Sequence, residues 1–160
     1  MNWEVIFQPD TLALYGEGLV TTLKLLISSL AIGAVLAILG ALALVSRAWL
    51  LRKVVGAFTY FMRGTPLLIQ VYLIYYGFSQ LEWVQARWDD IWPWTYFKEP
   101  FFCAFLAFTL NTAAYTAEML AGSVRETSKG EVEAARAMGM SRWQLMRRIV
   151  LPSAIRRTLP

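Results

Sequence analysis

At 160 residues the chain is long enough for one domain, and at 58% hydrophobic with a mean hydropathy of +0.48 it is more apolar than a soluble domain, which sits near ~45–50%. It contains no histidine, a single cysteine (Cys103) and no P-loop or dinucleotide-type glycine pattern. These absences exclude an intrachain disulfide, imidazole-based acid–base chemistry or metal ligation, and the two familiar ATP-binding loops. The net charge of +4 matters less than where the charges fall along the chain.

Met1 to Gly18 carries Glu4, Asp10 and Glu17 without a basic start or an early apolar core, so it does not read as a secretory signal. Its Trp3, Phe7, Leu14 and Tyr15 suit a membrane interface. Leu25 to Val45 is uncharged, and at 1.5 Å per residue it covers roughly 31 Å, enough to cross a bilayer core. This predicts a first span over about residues 21–45, with Lys24 snorkelling at its start. Gly33, Ala37 and Ala41 recur every four residues, with Gly40 alongside. Such a stripe suits close helix packing in lipid, although glycine and alanine are common in any span.

Arg47, Arg52 and Lys53 follow and place this loop on the cytoplasmic side, hence the N-terminus outside. Apolar residues at Leu51, Val54, Val55, Phe58, Phe61 and Met62 have helical spacing, predicting a helix at the inner interface. In Arg63-Gly64-Thr65-Pro66, Thr65 is a candidate N-cap with Pro66 at the first helical position. A second span is predicted over about residues 66–84, with one kinked span from Val54 to Phe78 as the alternative. Gln70 is its strongly polar residue.

Between Gln80 and Pro100 the chain has Glu82, Asp89, Asp90 and Glu99 among Trp83, Trp88, Trp92, Trp94, Tyr96 and Phe97. An acidic, tryptophan-rich loop belongs outside, its aromatics forming an interface belt. A third span is predicted over about residues 101–121. Asn111, Tyr115 and Glu118 share one of its faces. A carboxylate in a span should face protein or a water cavity, and Arg63, at similar depth, is expected to pair with Glu118 or share its hydrogen-bond network. From Gly122 onward basic residues dominate, which places the end of the chain inside.

The stretch over about residues 128–152 is the most informative. Glu131 and Glu133 fall in what should be a first helical turn, where carboxylates complement the helix dipole. Ala134, Ala135 and Ala137 are strong helix formers of little bulk. Gly139 should end that helix. Ser141 then resembles an N-cap with Gln144 completing a capping box. A second helix runs from Arg142 to about Leu151, where Pro152 stops or kinks it. Helix, glycine turn, helix with Arg147-Arg148 late in the unit fits a DNA-reading helix-turn-helix, a protein-docking module or a plain amphipathic hairpin. A membrane-anchored DNA-binding regulator needs only one anchor helix. Docking of a soluble cytoplasmic partner uses the packed spans as well.

The residues Glu133-Ala134-Ala135, Gly139, Ile149 and Leu151-Pro152 carry a specific resemblance to the signature loop of bacterial ABC-importer permease subunits. Arg63-Gly64-Thr65-Pro66 and the run Leu110 to Glu118 resemble the corresponding segments of the polar amino acid branch. Within that branch the chain is most similar to permeases for histidine, arginine, ornithine and lysine.

The resemblance implies an all-α, polytopic transmembrane helical bundle of the bacterial inner membrane, with residues 1–160 forming one partial transmembrane domain. It implies a transport subunit that is not an enzyme. Glu133, Ala134, Ala135 and Gly139 would belong to a coupling helix docked in a groove of a cytoplasmic ATPase, which binds the ATP and Mg. Arg63, Gly64, Thr65, Pro66, Ile149, Leu151 and Pro152 would be structural motif residues, and Asn111, Tyr115 and Glu118 possible pathway residues. A second, similar permease subunit, a periplasmic solute-binding protein and membrane lipid are the implied partners; nucleic acid and metal are not. Family members continue into further spans, so relative to them the chain is expected to be C-terminally truncated at Pro160.

Overall fold

The fold, taken from a computed structural model, is described for residues 8–77, 81–86 and 94–158. The longest element, α1 (Pro9–Val45), is a single helix of 37 residues, or roughly 55 Å at helical rise. It starts well before residue 21. Gly16 and Gly18 cost about 1 kcal/mol each relative to alanine in a helix interior, too little to stop a helix propagating from the strong run that follows. The hydroxyls of Thr21, Thr22, Ser28 and Ser29 donate to carbonyls three or four residues back. Polar side chains are thereby satisfied within the helix itself, as lipid requires.

The helix α5 (Pro100–Arg125) packs along α1. The buried residues of α1 include Ser29, Gly33, Ala37 and Ala41; those of α5 include Thr109, Ala113, Ala117 and Ala121. Both stripes repeat every four residues, so each lies along one helix face. Ala37, Ala41 and Leu44 meet Ala117 and Ala121 in one core cluster. A Cβ placed on Gly33 would lie 3.1 Å from Thr112 Cβ and 3.2 Å from the Thr109 carbonyl oxygen. The stripe in α1 is therefore a packing surface. Leu26, Ile27, Val35, Ile38 and Leu39 point outward and are exposed. Small residues inside with large apolar residues outside is the arrangement of a helix in lipid.

The helix α2 (Trp49–Gly64) ends at two extended residues. Thr65 has φ −112°, ψ 138° and Pro66 has φ −60°, ψ 136°. The helix α3 (Leu67–Tyr72) then begins and widens into a π-helical turn, Leu73–Gly77. Thr65 is the C-cap of α2 rather than the N-cap of α3, and Pro66 precedes α3 rather than opening it. The proline disfavours α geometry at Thr65, and the Thr65 hydroxyl donates back to Phe61 O at 3.0 Å. Helix does not continue unbroken to Val84: Leu81 is extended, and Glu82–Gln85 forms a separate short helix, α4. A 3₁₀ turn, Trp94–Lys98, leads into α5. Trp3, Phe7, Phe78, Trp88, Asp89, Asp90 and Trp92, which entered the interface, external-loop and span expectations, lie outside the described residues.

Beyond α5 come α6 (Lys129–Ala137), α7 (Arg142–Leu145), a π-helical turn over Met146–Val150 and α8 (Leu151–Thr158). Helix thus runs through Pro152 instead of stopping there. The wide turn just before it relieves the clash a proline ring makes with the preceding carbonyls. Among the described residues there is no strand.

Candidate functional site

The unit over residues 128–152 is closed at both ends of its turn by local hydrogen bonds. Ser128 is the N-cap of α6, its hydroxyl accepting from Glu131 N–H at 3.5 Å. At the other end Gly139 N–H donates to Arg136 O (2.9 Å) and Met140 N–H to Ala135 O (3.1 Å). Gly139 has φ +75°. This is a Schellman closure, which satisfies the last carbonyls of the helix and needs a left-handed residue at the glycine position. Ser141 and Gln144 form the reciprocal capping box: Ser141 N–H donates to Gln144 Oε1 at 2.9 Å, and Gln144 N–H to Ser141 Oγ at 3.3 Å. The exit of one helix and the entry of the next are thus both pinned.

The two alanines of the motif face different ways. Ala135 is buried with Leu145 and Val150, and Val124, Val132, Met140, Met146 and Ile149 pack around them. Ala135 therefore holds the unit together and does not present itself to a partner. Glu133 and Ala134 are exposed, as are Met138 at 77% and Trp143 at 72%. Sequence reasoning missed Met138 and Trp143; their signal is two large apolar side chains bracketing a glycine turn. It also missed the Ser128 cap, announced by Glu131 three residues on. Met146 and Leu151 line one apolar cavity with Ile38, Ala41, Leu42 and Val45 of α1, and with Thr116, Leu120 and Val124 of α5. The unit is seated on the end of α5, whose Val124 packs against its core.

The second cluster lies where α5 crosses the break between α2 and α3. Its three predicted polar residues all turn toward those helices. Asn111 Nδ2 donates to Gln70 Oε1 at 3.2 Å. Tyr115 Oη donates to Arg63 O at 3.1 Å. Glu118 Oε1 accepts from Thr59 Oγ1 at 2.8 Å. Arg63 does not form the expected ion pair with Glu118; its guanidinium lies over the Tyr115 ring, 5.6 Å from the centroid. The cation beside Glu118 is Arg125, N to O 3.9 Å, two helical turns further along α5. Arg125 also donates to Leu44 O at 3.4 Å, which ties α5 to the end of α1. Arg63, Tyr115, Glu118, Met119, Gly122 and Arg125 line one open cavity of about 330 Å³. It offers one carboxylate, two guanidinium groups and an aromatic face, suited to binding a small zwitterion by charge-assisted hydrogen bonds. Thr59 and Arg125 were not singled out from sequence. A threonine in an apolar helix and an arginine in a basic run carry no distinctive pattern.

Comparison with known proteins agrees with this geometry. Residues 19–160 match the family described as "Binding-protein-dependent transport system inner membrane component". The octopine transport system permease protein OccM of Rhizobium radiobacter is 44% identical over 160 residues, covering all of this chain and 64% of that protein. The histidine/lysine/arginine/ornithine transport system permease protein HisM of Salmonella typhimurium is 44% identical over 143 residues, 89% of this chain and 60% of that protein. The chain thus spans less than two thirds of the length of these relatives. A crystal structure of an amino acid ABC transporter with histidines superposes with a TM-score of 0.73 at 30% identity, covering 94% of this chain and 64% of that one. A match over residues 19–160, on an all-helical chain whose long helices bury small residues and expose large apolar ones, makes this protein a member of the family of binding-protein-dependent transport system inner membrane components.

Proposed function

We propose that the chain is the membrane-spanning permease subunit of an ATP-driven importer for polar, basic amino acids in the bacterial inner membrane. The observation that carries this reading is the unit over residues 128–152. Its outer face presents Glu133, Ala134, Met138 and Trp143, and its core includes Val124 of α5. A rigid elbow of that kind can pass a partner's motion to a membrane helix. Closure of an ATPase dimer then biases the spans between two states. ATP and Mg are bound by that ATPase, and this chain does no covalent chemistry. A second, similar permease subunit completes the pathway, and a periplasmic binding protein delivers the amino acid.

The N-terminus is outside. Residues 21–45 and 101–121 form two crossings, and α2 with α3 forms the one between them in two pieces. Leu67–Gly77 alone covers roughly 16 Å, about half a bilayer core. The cavity beside Glu118 forms part of the pathway wall, together with Asn111 and Tyr115. The substrate class rests on the similarity to permeases for histidine, lysine, arginine, ornithine and octopine. The helix-turn-helix alternative is disfavoured because Met146 and Ile149 of the segment after the turn pack with Val124 of α5 around one apolar cluster.

Expression with the neighbouring ATPase, binding protein and second permease tests the reading. Co-purification of the ATPase and ATP-dependent uptake of labelled arginine or histidine are expected. Binding to duplex DNA with a steep salt dependence, and no ATPase in the complex, would replace it with the regulator reading.

A further inference from the structure

A helix that stops inside a membrane protein leaves its last carbonyls without backbone donors, and in lipid each one is costly. At the end of α2 these carbonyls are answered by side chains. Phe61 O accepts from Thr65 Oγ1 at 3.0 Å. Met62 O accepts from Gln70 Nε2 at 2.7 Å, and more loosely from Asn111 Nδ2 at 3.5 Å. Arg63 O accepts from Tyr115 Oη at 3.1 Å. Gln70 Nε2 also reaches Thr65 O at 3.0 Å and Thr65 Oγ1 at 2.8 Å, so its donors face three acceptors across the break. Its Oε1 takes the Asn111 amide. The Gln70 residue is 3% exposed, and both sides of its carboxamide are engaged.

We propose that Gln70 is a positioning residue for translocation: with Asn111 it clamps the break between α2 and α3 onto α5, so that the broken crossing moves with the helix leaving the coupling unit. The proposal rests on the importer reading above and adds a route through the protein. At one end Val124 of α5 packs in the core of the coupling unit. Further along the same helix, Tyr115 and then Asn111 grip the carbonyls of α2. Gln70 carries the grip across Thr65–Pro66 into α3. Without the clamp, α2 and α3 are joined only by two extended residues, and only the packing of α3 and the Leu73–Gly77 turn on α5 remains to carry its motion. On this account Asn111 and Tyr115 face the pathway, but Asn111 spends its donors on Gln70 and Met62 O and Tyr115 spends its donor on Arg63 O.

The test uses the permease assembled with its ATPase and binding protein in lipid vesicles, with arginine, histidine and octopine as probes. Gln70→Glu keeps the size of the side chain and turns its donor into an acceptor facing carbonyls. It is expected to insert, retain the ATPase and hydrolyse ATP, while uptake per ATP falls roughly tenfold or more at an unchanged KM. Thr65→Val removes the hydroxyl that answers Phe61 O and accepts from Gln70; it should give the same split and covers the case in which Gln70→Glu fails to insert. Wild-type uptake per ATP in either variant would overturn the proposal. So would a raised KM at unchanged maximal rate, which would make Gln70 a substrate contact. If the wild-type assembly takes up no probe, the importer reading falls by itself. The clamp is then read from thermal unfolding of the detergent-solubilised chain. Gln70→Ala and Asn111→Ala should combine less than additively, and additive shifts would remove it.

Discussion

The same substitution in the same helix should change stability in opposite directions at two positions of α1. Gly33→Ala adds one methyl group against Thr112 Cβ at 3.1 Å and the Thr109 carbonyl oxygen at 3.2 Å. Both atoms are fixed to the α5 backbone, so no rotamer change can make room, and α1 and α5 must separate slightly. Overpacking of this kind costs about 1–3 kcal/mol. Alanine returns up to about 1 kcal/mol of helix propensity, leaving a net loss of roughly 1–2 kcal/mol. Gly18 lies in the same helix with nothing within 4 Å of its would-be Cβ. Gly18→Ala therefore keeps only the propensity gain, up to about 1 kcal/mol of stabilisation. Thermal unfolding in one detergent, followed by circular dichroism, compares the two variants with wild type. A melting temperature for Gly33→Ala at or above wild type would mean that α1 and α5 do not approach as closely as described, and the argument from their small-residue stripes would fail.

Gly139→Ala has open space for its methyl group but must hold φ near +75°, costing about 1–2 kcal/mol. Gly139→Asn should be tolerated better, as would show in amide exchange across residues 128–152. Gly139→Pro also loses the N–H that bonds Arg136 O, and it should leave the protein inserted but unable to link ATP hydrolysis to uptake; wild-type uptake would contradict this. Glu133→Lys, on the exposed face of α6, is expected to reduce ATPase co-purification without lowering the melting temperature. Glu118→Gln removes the charge beside Arg125 and keeps an acceptor for Thr59; arginine uptake should show a higher KM than wild type, whereas an unchanged KM would take Glu118 out of the pathway.

Local features near the end of the chain were legible because their causes are local. Ser141 and Gln144 satisfy each other across three residues, and Gly139 ends α6 for reasons held in its own backbone. Apolar length was legible too, since a long uncharged helix has few other environments. Of the two outcomes expected at Pro152, a stop does not occur, because a widened turn upstream absorbs its ring, which no propensity anticipates. Thr65 misled the reading because proline acts on the residue before it as strongly as on the helix after it. The Arg63–Glu118 pairing assumed that opposite charges at one depth meet. Instead Arg63 found an aromatic ring and Glu118 an arginine on its own helix.

By itself the amino-acid order determined the membrane character, the long apolar helices and the capped hairpin, because each rests on hydropathy or on hydrogen bonds within a few residues. Only the tertiary structure decided which face of Glu133-Ala134-Ala135 looks outward, that the α1 stripe packs on α5, and that Gln70, Asn111 and Tyr115 share the task of sealing a broken helix. The last two depend on contacts between segments some forty to eighty residues apart, from Asn111 to Gln70 to Arg125 against Leu44, and the first on Ala135 meeting Leu145 and Val150 across the turn; no spacing rule along a single helix encodes which faces will meet.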